Sequence, residues 1–454
     1  MSRVAVIDIG KTNAKLALVD TATMAELAVM SRPNRVLPGP PWPHFDVEGH
    51  WDFLLEGLAA VHASHGIDAI SVTTHGACAA LLDADGGLAA PILDYEHPGP
   101  DALAEAYDAI RPSFAETGSP RLPMGLNLGA QLHWMLATDP GLLARTARVV
   151  TYPQYWGFRL TGVAACDVSS LGCHTDLWAP EARGFSALVD RLGLAGRMAP
   201  ARAASDVLGP ILPDVARRTG LPPATPVLCG IHDSNASLLP HLMARQPPFS
   251  VVSTGTWVVA MCVGGRRVAL DPERDTLINV SAFGDPIPSA RFMGGRAFES
   301  IAGRDPPPAA EADLAAVLAG GIMLLPAVVP GSGPFQGRTA RWLGGEPPAG
   351  SGVRTAAASF HAALMTATCL DLAGHEGPVV VEGPFARNAA YCAMLAAACG
   401  CAVVPSADAT GTSHGAALLA LPAGARLTAP PSPAPAAATP AMAAYAAAWR
   451  EAAG

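Results

Sequence analysis

Val4-Ala5-Val6-Ile7-Asp8-Ile9-Gly10-Lys11-Thr12-Asn13-Ala14-Lys15-Leu16-Ala17-Leu18-Val19 lies close to the amino terminus, and the architecture turns on it. Two apolar runs, Val4 to Ile9 and Ala14 to Val19, have the composition of strands. The four residues between them, Gly10 to Asn13, have the composition of a turn, so the segment predicts a hairpin. Leu27 to Met30 adds a third strand, which gives an antiparallel start. Val47 to Ser64 then carries helical spacing through Trp51, Leu54, Leu55, Leu58 and Val61, and the strand Ala69 to Thr73 follows Gly66. Hairpin, helix and strand together predict a mixed α/β domain.

Further along, Met124 to Thr138 reads as a helix through Leu128, Leu132 and Met135. Thr151 to Leu160 gathers Tyr152, Tyr155, Trp156 and Phe158 as structural aromatics. A second hairpin of the first one's flavour follows, with strands Phe249 to Ser253 and Trp257 to Cys262 around Thr254-Gly255-Thr256. Reuse of strand, small polar turn and strand fits a duplicated fold with one phosphate hairpin per half and nucleotide between the halves. At 454 residues the chain exceeds the size at which one core usually stops growing, so two domains with a cleft are expected. The domains are placed at 1-245 and 246-429. Residues 430-454 form an Ala/Pro-rich linker and a closing helix over Ala441 to Ala453.

Composition narrows the function classes. Lys+Arg 29 against Asp+Glu 38 gives a formal charge of -9 without a basic, aromatic-interleaved cluster, which disfavours nucleic acid as a partner. No run of about 18 strongly apolar residues is present, so no membrane span is expected. The first strand begins within a few residues of Met1, unlike a signal peptide, and the nine cysteines form neither a CxxC pair nor a zinc spacing. Reduced cysteines and a cytoplasmic location are expected.

Six groups of residues carry the chemistry. In the first hairpin Asp8 ends a strand, where it can hold Mg²⁺. Gly10, Lys11, Thr12, Asn13 and Lys15 can line phosphates with amides, hydroxyls and ammonium groups; the plainer reading is a polar hairpin. Thr254, Gly255 and Thr256 offer a second set of amides and hydroxyls, with an ordinary Ser/Thr turn as the alternative. Asp233, after the strand Val227 to Cys229 and at the start of a small-residue helix, suits a general base and a metal ligand, against the simple role of a helix cap. His75 and Gly76, together with Asp94 and Glu96, are the sugar candidates, with Asp233 beside them. Gly383, Arg387 and Asn388 follow the apolar strand Val379 to Val381 and suit a purine edge or ribose, Asn388 being equally explained as a cap. Gly411 opens a glycine-punctuated turn into a helix, where glycine most simply allows tight packing.

The order of these segments over nearly the whole chain resembles the FGGY family of carbohydrate kinases, whose fold is of the actin, hexokinase and Hsp70 type, ribonuclease H-like, with a central cleft. Asp8-x-Gly10-x-Thr12-x-x-Lys15 and Ser253-Thr254-Gly255-Thr256 are similar to the two phosphate motifs, and Thr74-His75-Gly76 to the sugar-contacting one. Gly230-x-x-Asp233-x-x-Ala236 resembles the segment bearing the catalytic aspartate. Glu382-Gly383-x-x-x-Arg387-Asn388 is similar to the adenosine motif, and Gly411-Thr412 with Gly415-Ala416-Ala417 to the closing turn. The resemblance implies ATP and Mg²⁺, domain closure over the sugar, and transfer of the γ-phosphoryl group to a hydroxyl. Lys11 stands where many members carry threonine, and Glu382, Pro384 and Phe385 interrupt a turn often richer in glycine. Pro33 to Asp46 and Phe292 to Glu299 resemble the rhamnulokinase and fuculokinase-like branch, which implies a deoxyketose such as L-rhamnulose or L-fuculose. A pentulose or polyol kinase, a silent sugar or nucleotide sensor, and an ATPase or phosphatase are the rivals. The partner expected is a small sugar, with a homodimer admitted.

Overall fold

The computed structural model describes residues 2–406, 411–428 and 435–454; the predicted linker therefore begins outside the described residues. The chain forms two compact units. One comprises Met1–Met243, Ile278–Pro286 and Thr410–Leu427, and the other Ala244–Leu277, Ile287–Ala409 and Thr428–Gly454. Two short segments from late in the chain thus belong with the N-terminal unit, a return that local sequence patterns do not announce.

The first unit is built on a seven-stranded sheet. Its strands are β1 (Arg3–Ile9), β2 (Asn13–Asp20), β3 (Ala25–Pro33), β4 (Ala69–Thr74), β5 (Val207–Pro210), β6 (Pro226–Leu228) and β7 (Ile231–His232). They run in the order β5-β6-β4-β1-β2-β3, with β7 also paired to β4. As predicted, β1 and β2 pair antiparallel, Asp8 opposite Lys15 and Ile9 opposite Ala14. The turn between them is closed by a bond from the Gly10 amide to the Asn13 carbonyl at 2.9 Å. Val4 to Ile7 are fully buried, which explains the unbroken apolar run. At the sheet edge, β3 alternates half-buried and exposed residues and carries Glu26, Arg32 and Pro33, features that discourage pairing with another chain.

β4 is parallel to β1, so a crossover must join β3 to it, and the helix Val47–His65 provides one. Asp46 caps that helix by accepting the Gly49 amide at 3.0 Å and is itself held by Arg32 at 2.9 Å. A Cβ on Gly57 would lie 2.7 Å from Leu16 Cδ2, so glycine lets the helix settle directly onto β2. Trp51, Leu54, Leu55 and Leu58 fill the interface in the predicted pattern. The aromatic segment forms the buried helix Tyr152–Thr161, and the helix predicted before it begins at Leu128 rather than Met124.

The second unit repeats the opening plan. β8 (Phe249–Thr254) and β9 (Val258–Val263) form the second hairpin, and β12 (Val379–Glu382) is parallel to β8, Ser253 opposite Glu382. With β10 (Thr276–Val280), β11 (Pro286–Phe292) and β13 (Val403–Pro405) they make a six-stranded sheet in the order β10-β11-β9-β8-β12-β13. The helices Gly352–Leu372 and Ala389–Cys399 pack together, and the many buried alanines on the first, Ala356 to Ala358 with Ala362 and Ala363, permit close approach. The closing helix spans Pro440–Ala453. Its Trp449 indole N–H donates to the Leu324 carbonyl at 2.8 Å, and its Tyr445 hydroxyl to that of Ile322 at 2.6 Å. No helix among the described residues is long and apolar enough to cross a membrane.

Candidate active site

Three parallel strands of the first unit end at one level. Register pairs Asp8 of β1 with Thr73 of β4, and His232 of β7 with Thr74 of β4. Asp8 and the His232-Asp233 step therefore flank one central strand, about 10 Å apart at one strand spacing each. The carboxyl ends of parallel strands are where α/β sheets place their ligands.

Asp8 is half-buried, and its Oδ2 accepts hydrogen bonds from the hydroxyls of Thr412 and, at 3.1 Å, Ser413, both at the start of the helix Thr412–Leu418. Burial raises its proton affinity, the two hydroxyls oppose that rise, and the negative charge of Asp233 adds to it. The helix is brought close because Gly415 has no side chain: a Cβ there would lie 1.8 Å from the Ala236 carbonyl oxygen. Gly411 is its N-cap, in extended conformation.

Asp233 is the first residue of the helix Asp233–Ala244. Its Oδ1 accepts from the Ser234 amide at 2.6 Å and the Ser234 hydroxyl at 3.3 Å, and lies 3.3 Å from His232 Nε2. The side chain is 31 % exposed but stands in dense protein surroundings. Desolvation accordingly raises its pKa, partly offset by His75 and by the Ser234 donors. Burial holds His232 down at about 4, so the ring is neutral. An Asn235 amide 3.4 Å from Nδ1 favours the tautomer with the proton on Nε2, aimed at the carboxylate. Gly76 makes room for this ring, since a Cβ there would meet His232 Nε2 at 2.6 Å.

His75 follows β4 and is buried among Phe45, Tyr95 and Tyr152, with ring centroids 5.1 to 5.2 Å away. Its Nδ1 bonds the Gly76 carbonyl at 2.9 Å, which leaves Nε2 as the other polar atom; that atom is buried and has no hydrogen-bond partner. Burial lowers its pKa as well. Lys11, predicted at a phosphate, is instead held by the carboxylates of Asp94 and, at 3.1 Å, Glu96, with its ammonium 4.7 Å above the Tyr95 ring. Its charge is thus neutralised within the Asp94 and Glu96 group rather than left free in the turn. Thr12 and Asn13 are exposed in that turn, while Gly10 is fixed from behind by the Asn34 amide donating to its carbonyl at 2.8 Å. Lys15 pairs with Glu26 at 2.8 Å along the strand face.

In the second unit the hairpin turn is tied to the neighbouring strand end. The Thr254 hydroxyl donates to the Glu382 carbonyl and accepts the Phe385 amide at 3.1 Å. Gly383, at φ 79°, lies where a Cβ would stand 2.1 Å from the Thr254 carbonyl oxygen, and a Cβ on Gly295 would stand equally close to that of Gly255. Backbones thus approach closely around Thr254, Gly255 and Gly383, with Thr256 exposed beside them. Arg387 is exposed at the end of the short helix Pro384–Arg387. Asn388 caps the helix Ala389–Cys399 by accepting the Tyr391 amide at 3.0 Å and donates to the Ser359 hydroxyl at 2.9 Å, so its amide is already engaged.

The sequence-predicted residues Asp8, His75, Gly76 and Asp233 are therefore gathered at the strand ends of the first unit, with Lys11, Asp94 and Glu96 as a linked group bordering His75 through Tyr95. His232, Thr412 and Ser413 were missed. Adjacency to Asp233 was the one signal for His232; nothing local marks the two hydroxyls as partners of Asp8.

The donor set at Asp8 and Asp233 is two carboxylates and neighbouring hydroxyls, hard oxygens of the kind Mg²⁺ takes. Among the described residues no group of three or more His, Cys, Asp or Glu could by itself hold a metal ion. That suits an ion that arrives with phosphates and needs only one or two carboxylates.

Comparison with known proteins agrees along the chain. Residues 4–240 match the N-terminal domain of the FGGY family of carbohydrate kinases, and residues 246–429 match the carbohydrate kinase FGGY C-terminal domain. A carbohydrate kinase from Novosphingobium aromaticivorans superposes with a TM-score of 0.90 at 38% identity, over 99% of this chain and 98% of that one. Xylulose kinase from Lactobacillus acidophilus shares the fold at a TM-score of 0.78 and 14% identity, over 99% and 97%. L-fuculokinase from Salmonella typhi is 26% identical over 269 residues, 58% of this chain; the match spans only 56% of that relative's length. With both domains matched in order and the strand-end carboxylates in place, the chain belongs to the FGGY family of carbohydrate kinases.

Proposed function

We propose that this protein is an ATP-dependent sugar kinase that transfers the γ-phosphoryl group of MgATP to a hydroxyl of a small deoxyketose, of the L-fuculose or L-rhamnulose kind. The observation that carries the reading is Asp233. Its side chain is partly exposed, raised in proton affinity by its surroundings, and paired at 3.3 Å with a neutral imidazole. Such a group accepts the proton of an attacking sugar hydroxyl as the phosphoryl group moves, and raising its pKa toward working pH makes it a better base. His232, held neutral, steadies the carboxylate without supplying a competing positive charge.

The unpartnered Nε2 of His75 supplies a buried polar contact that a sugar hydroxyl satisfies. Asp94 and Glu96, oriented by Lys11, supply acceptors for others. MgATP brings the phosphoryl group together with a cation that neutralises its charge, and Asp8, buttressed by Thr412 and Ser413, holds that cation. In the first unit Gly10, Thr12 and Asn13 offer amides and hydroxyls to phosphate, and Gly411 closes the turn; in the second unit, taken by itself, Thr254, Gly255 and Thr256 offer the same groups, and Gly383 and Arg387 suit a nucleoside. The deoxyketose preference rests on the likeness to L-fuculokinase. No described helix could span a membrane, which fits a cytoplasmic enzyme acting on a soluble sugar.

Coupled ADP release with MgATP across L-fuculose, L-rhamnulose, D-xylulose, D-ribulose, their aldoses and glycerol tests the proposal. Strong stimulation by a 6-deoxyketose is the expected result. Stimulation by a pentulose alone would retain the kinase and reassign the sugar, and sugar-independent hydrolysis at full rate would remove the kinase reading.

A further inference from the structure

Away from the hairpin turn, the second unit holds a cluster that phosphoryl transfer does not use. Ser250 lies near the opposite end of β8 from Thr254. Its hydroxyl is 2.8 Å from His375 Nδ1, and His375 Nε2 is 3.5 Å from Cys401 Sγ. Cys399 ends the helix Ala389–Cys399, and Gly400 follows in the left-handed conformation at φ 65°, which turns the chain so that Cys401 comes back beside it. The Cys399 thiol donates a hydrogen bond to Cys401, and this bond is the main reason the Cys401 thiol is lowered to about 5. The His375 contact lowers it further, while the same thiol bond and burial raise Cys399. A cavity of about 410 Å³ adjoins the cluster; His375, Cys399, Arg266, Arg274, Asp371 and Arg450 are among its walls. Cys399 and Cys401 are half-buried, and the other seven cysteines are buried.

We propose that Cys401 and Cys399 form a peroxide-reactive thiol pair, Cys401 as the nucleophile oriented by His375 and Ser250, and Cys399 as the resolving thiol. In the first step the Cys401 thiolate sulfur attacks one oxygen of a hydroperoxide. The S–O bond forms, the O–O bond breaks, and the departing hydroxide or alkoxide takes a proton from water, leaving a sulfenic acid. In the second, the Cys399 sulfur attacks the Cys401 sulfur. The S–S bond forms, and the sulfenic hydroxyl leaves as water with the proton of the Cys399 thiol. Sulfur is oxidised and the peroxide is reduced, so no further reagent is needed. The spacing of one residue with glycine between lets the two sulfurs meet without moving a secondary element. Of the pair, Cys399 lines the cavity, where Arg450 opposes the rise in its proton affinity.

Two measurements on the whole protein test this. At pH 6.5, limited iodoacetamide labelling followed by peptide mass spectrometry should modify Cys401 at least about tenfold faster than any other cysteine, the selectivity of a thiolate over buried thiols. Treatment with one equivalent of hydrogen peroxide should then remove two labelable thiols and yield a Cys399–Cys401 disulfide reversed by dithiothreitol. In Cys399→Ser the same treatment should stop at a sulfenic acid captured by dimedone at Cys401, and His375→Gln should slow the labelling of Cys401. Equal labelling of all nine cysteines would overturn the proposal, as would peroxide products at Cys401 that leave Cys399 free in the unaltered chain.

Discussion

Replacing Gly76 with alanine isolates the contribution of His232. The added Cβ would lie 2.6 Å from Nε2 and 2.8 Å from Cδ2 of that ring, whereas ordinary contact begins near 3.4 Å. Relief requires the ring to retreat by about 0.8 Å, the difference between the two distances. The backbone at Gly76 does not have the positive φ that would strain an alanine, and the obstacle is the far end of a side chain. Stability should therefore change little. Geometry should not be so forgiving, because the retreating atom is the one 3.3 Å from Asp233 Oδ1. A displacement of about 1 Å at a catalytic constellation costs on the order of 100-fold in rate. Coupled ADP release with the activating sugar should show that loss in kcat, with a melting temperature close to that of the unaltered protein. If the loss travels through the ring, adding His232→Ala to Gly76→Ala should cost little more than either change alone. A folded Gly76→Ala protein with unaltered kcat, or fully additive losses in the double variant, would refute the reasoning.

Asp233→Asn should lower turnover by roughly 100-fold or more while nucleotide binding, read by calorimetry, persists; near-normal turnover would leave Asp233 a structural residue. The base must be ionised, and its pKa is raised, so kcat/KM of the unaltered enzyme should fall on the acid side at a pH above the ordinary aspartate value of 3.8. His361 is buried, bonds the Leu324 carbonyl through Nδ1 at 2.9 Å, and is lowered from 6.5 to about 4 by burial. Its stabilising contribution is complete above pH 6.5 and is lost as pH falls toward 4, about 2 kcal/mol by pH 5. The denaturant midpoint of His361→Gln should consequently depend less on pH between 7 and 5, and identical dependence in both proteins would contradict this. Gly415→Ala drives a Cβ to 1.8 Å from a backbone oxygen and should destabilise the first unit by several kcal/mol, about 3 or more. Gly184→Ala, whose added Cβ would lie 3.8 Å from the Ala182 carbonyl oxygen, serves as the control and should stay within about 0.5 kcal/mol.

Much of this site was legible because its pieces are local. An apolar run ended by Asp8 and Gly10 is a strand and turn whatever surrounds it, and the β1–β2 register and the helix from Val47 follow from pattern alone. The positions of Asp8, His75 and Asp233 at strand ends were likewise written in short stretches. Partnerships were not. Lys11 finds Asp94 across 83 residues and Asp8 finds Thr412 across 404, and nothing in either segment names the other. Thr254 looked like a turn hydroxyl, yet it ties β8 to the end of β12. The value of glycine at positions 76, 383 and 415 is specific only in the folded chain, since each excludes a Cβ on account of an atom distant in sequence.

The late return of the chain to the first unit bears on how the protein is made. The hydroxyls that hold Asp8 belong to Thr412 and Ser413, and the Ser71 hydroxyl of β4 donates to the Ala416 carbonyl at 2.7 Å. On the ribosome, the first strand emerges hundreds of residues before those groups are synthesised. A nascent or prematurely terminated chain therefore displays an Asp8 without its hydroxyl clamp and a β4 without its covering helix. Translation must therefore pass residue 413 before the Asp8 carboxylate can be clamped, and any fragment that stops short of it lacks both hydroxyls.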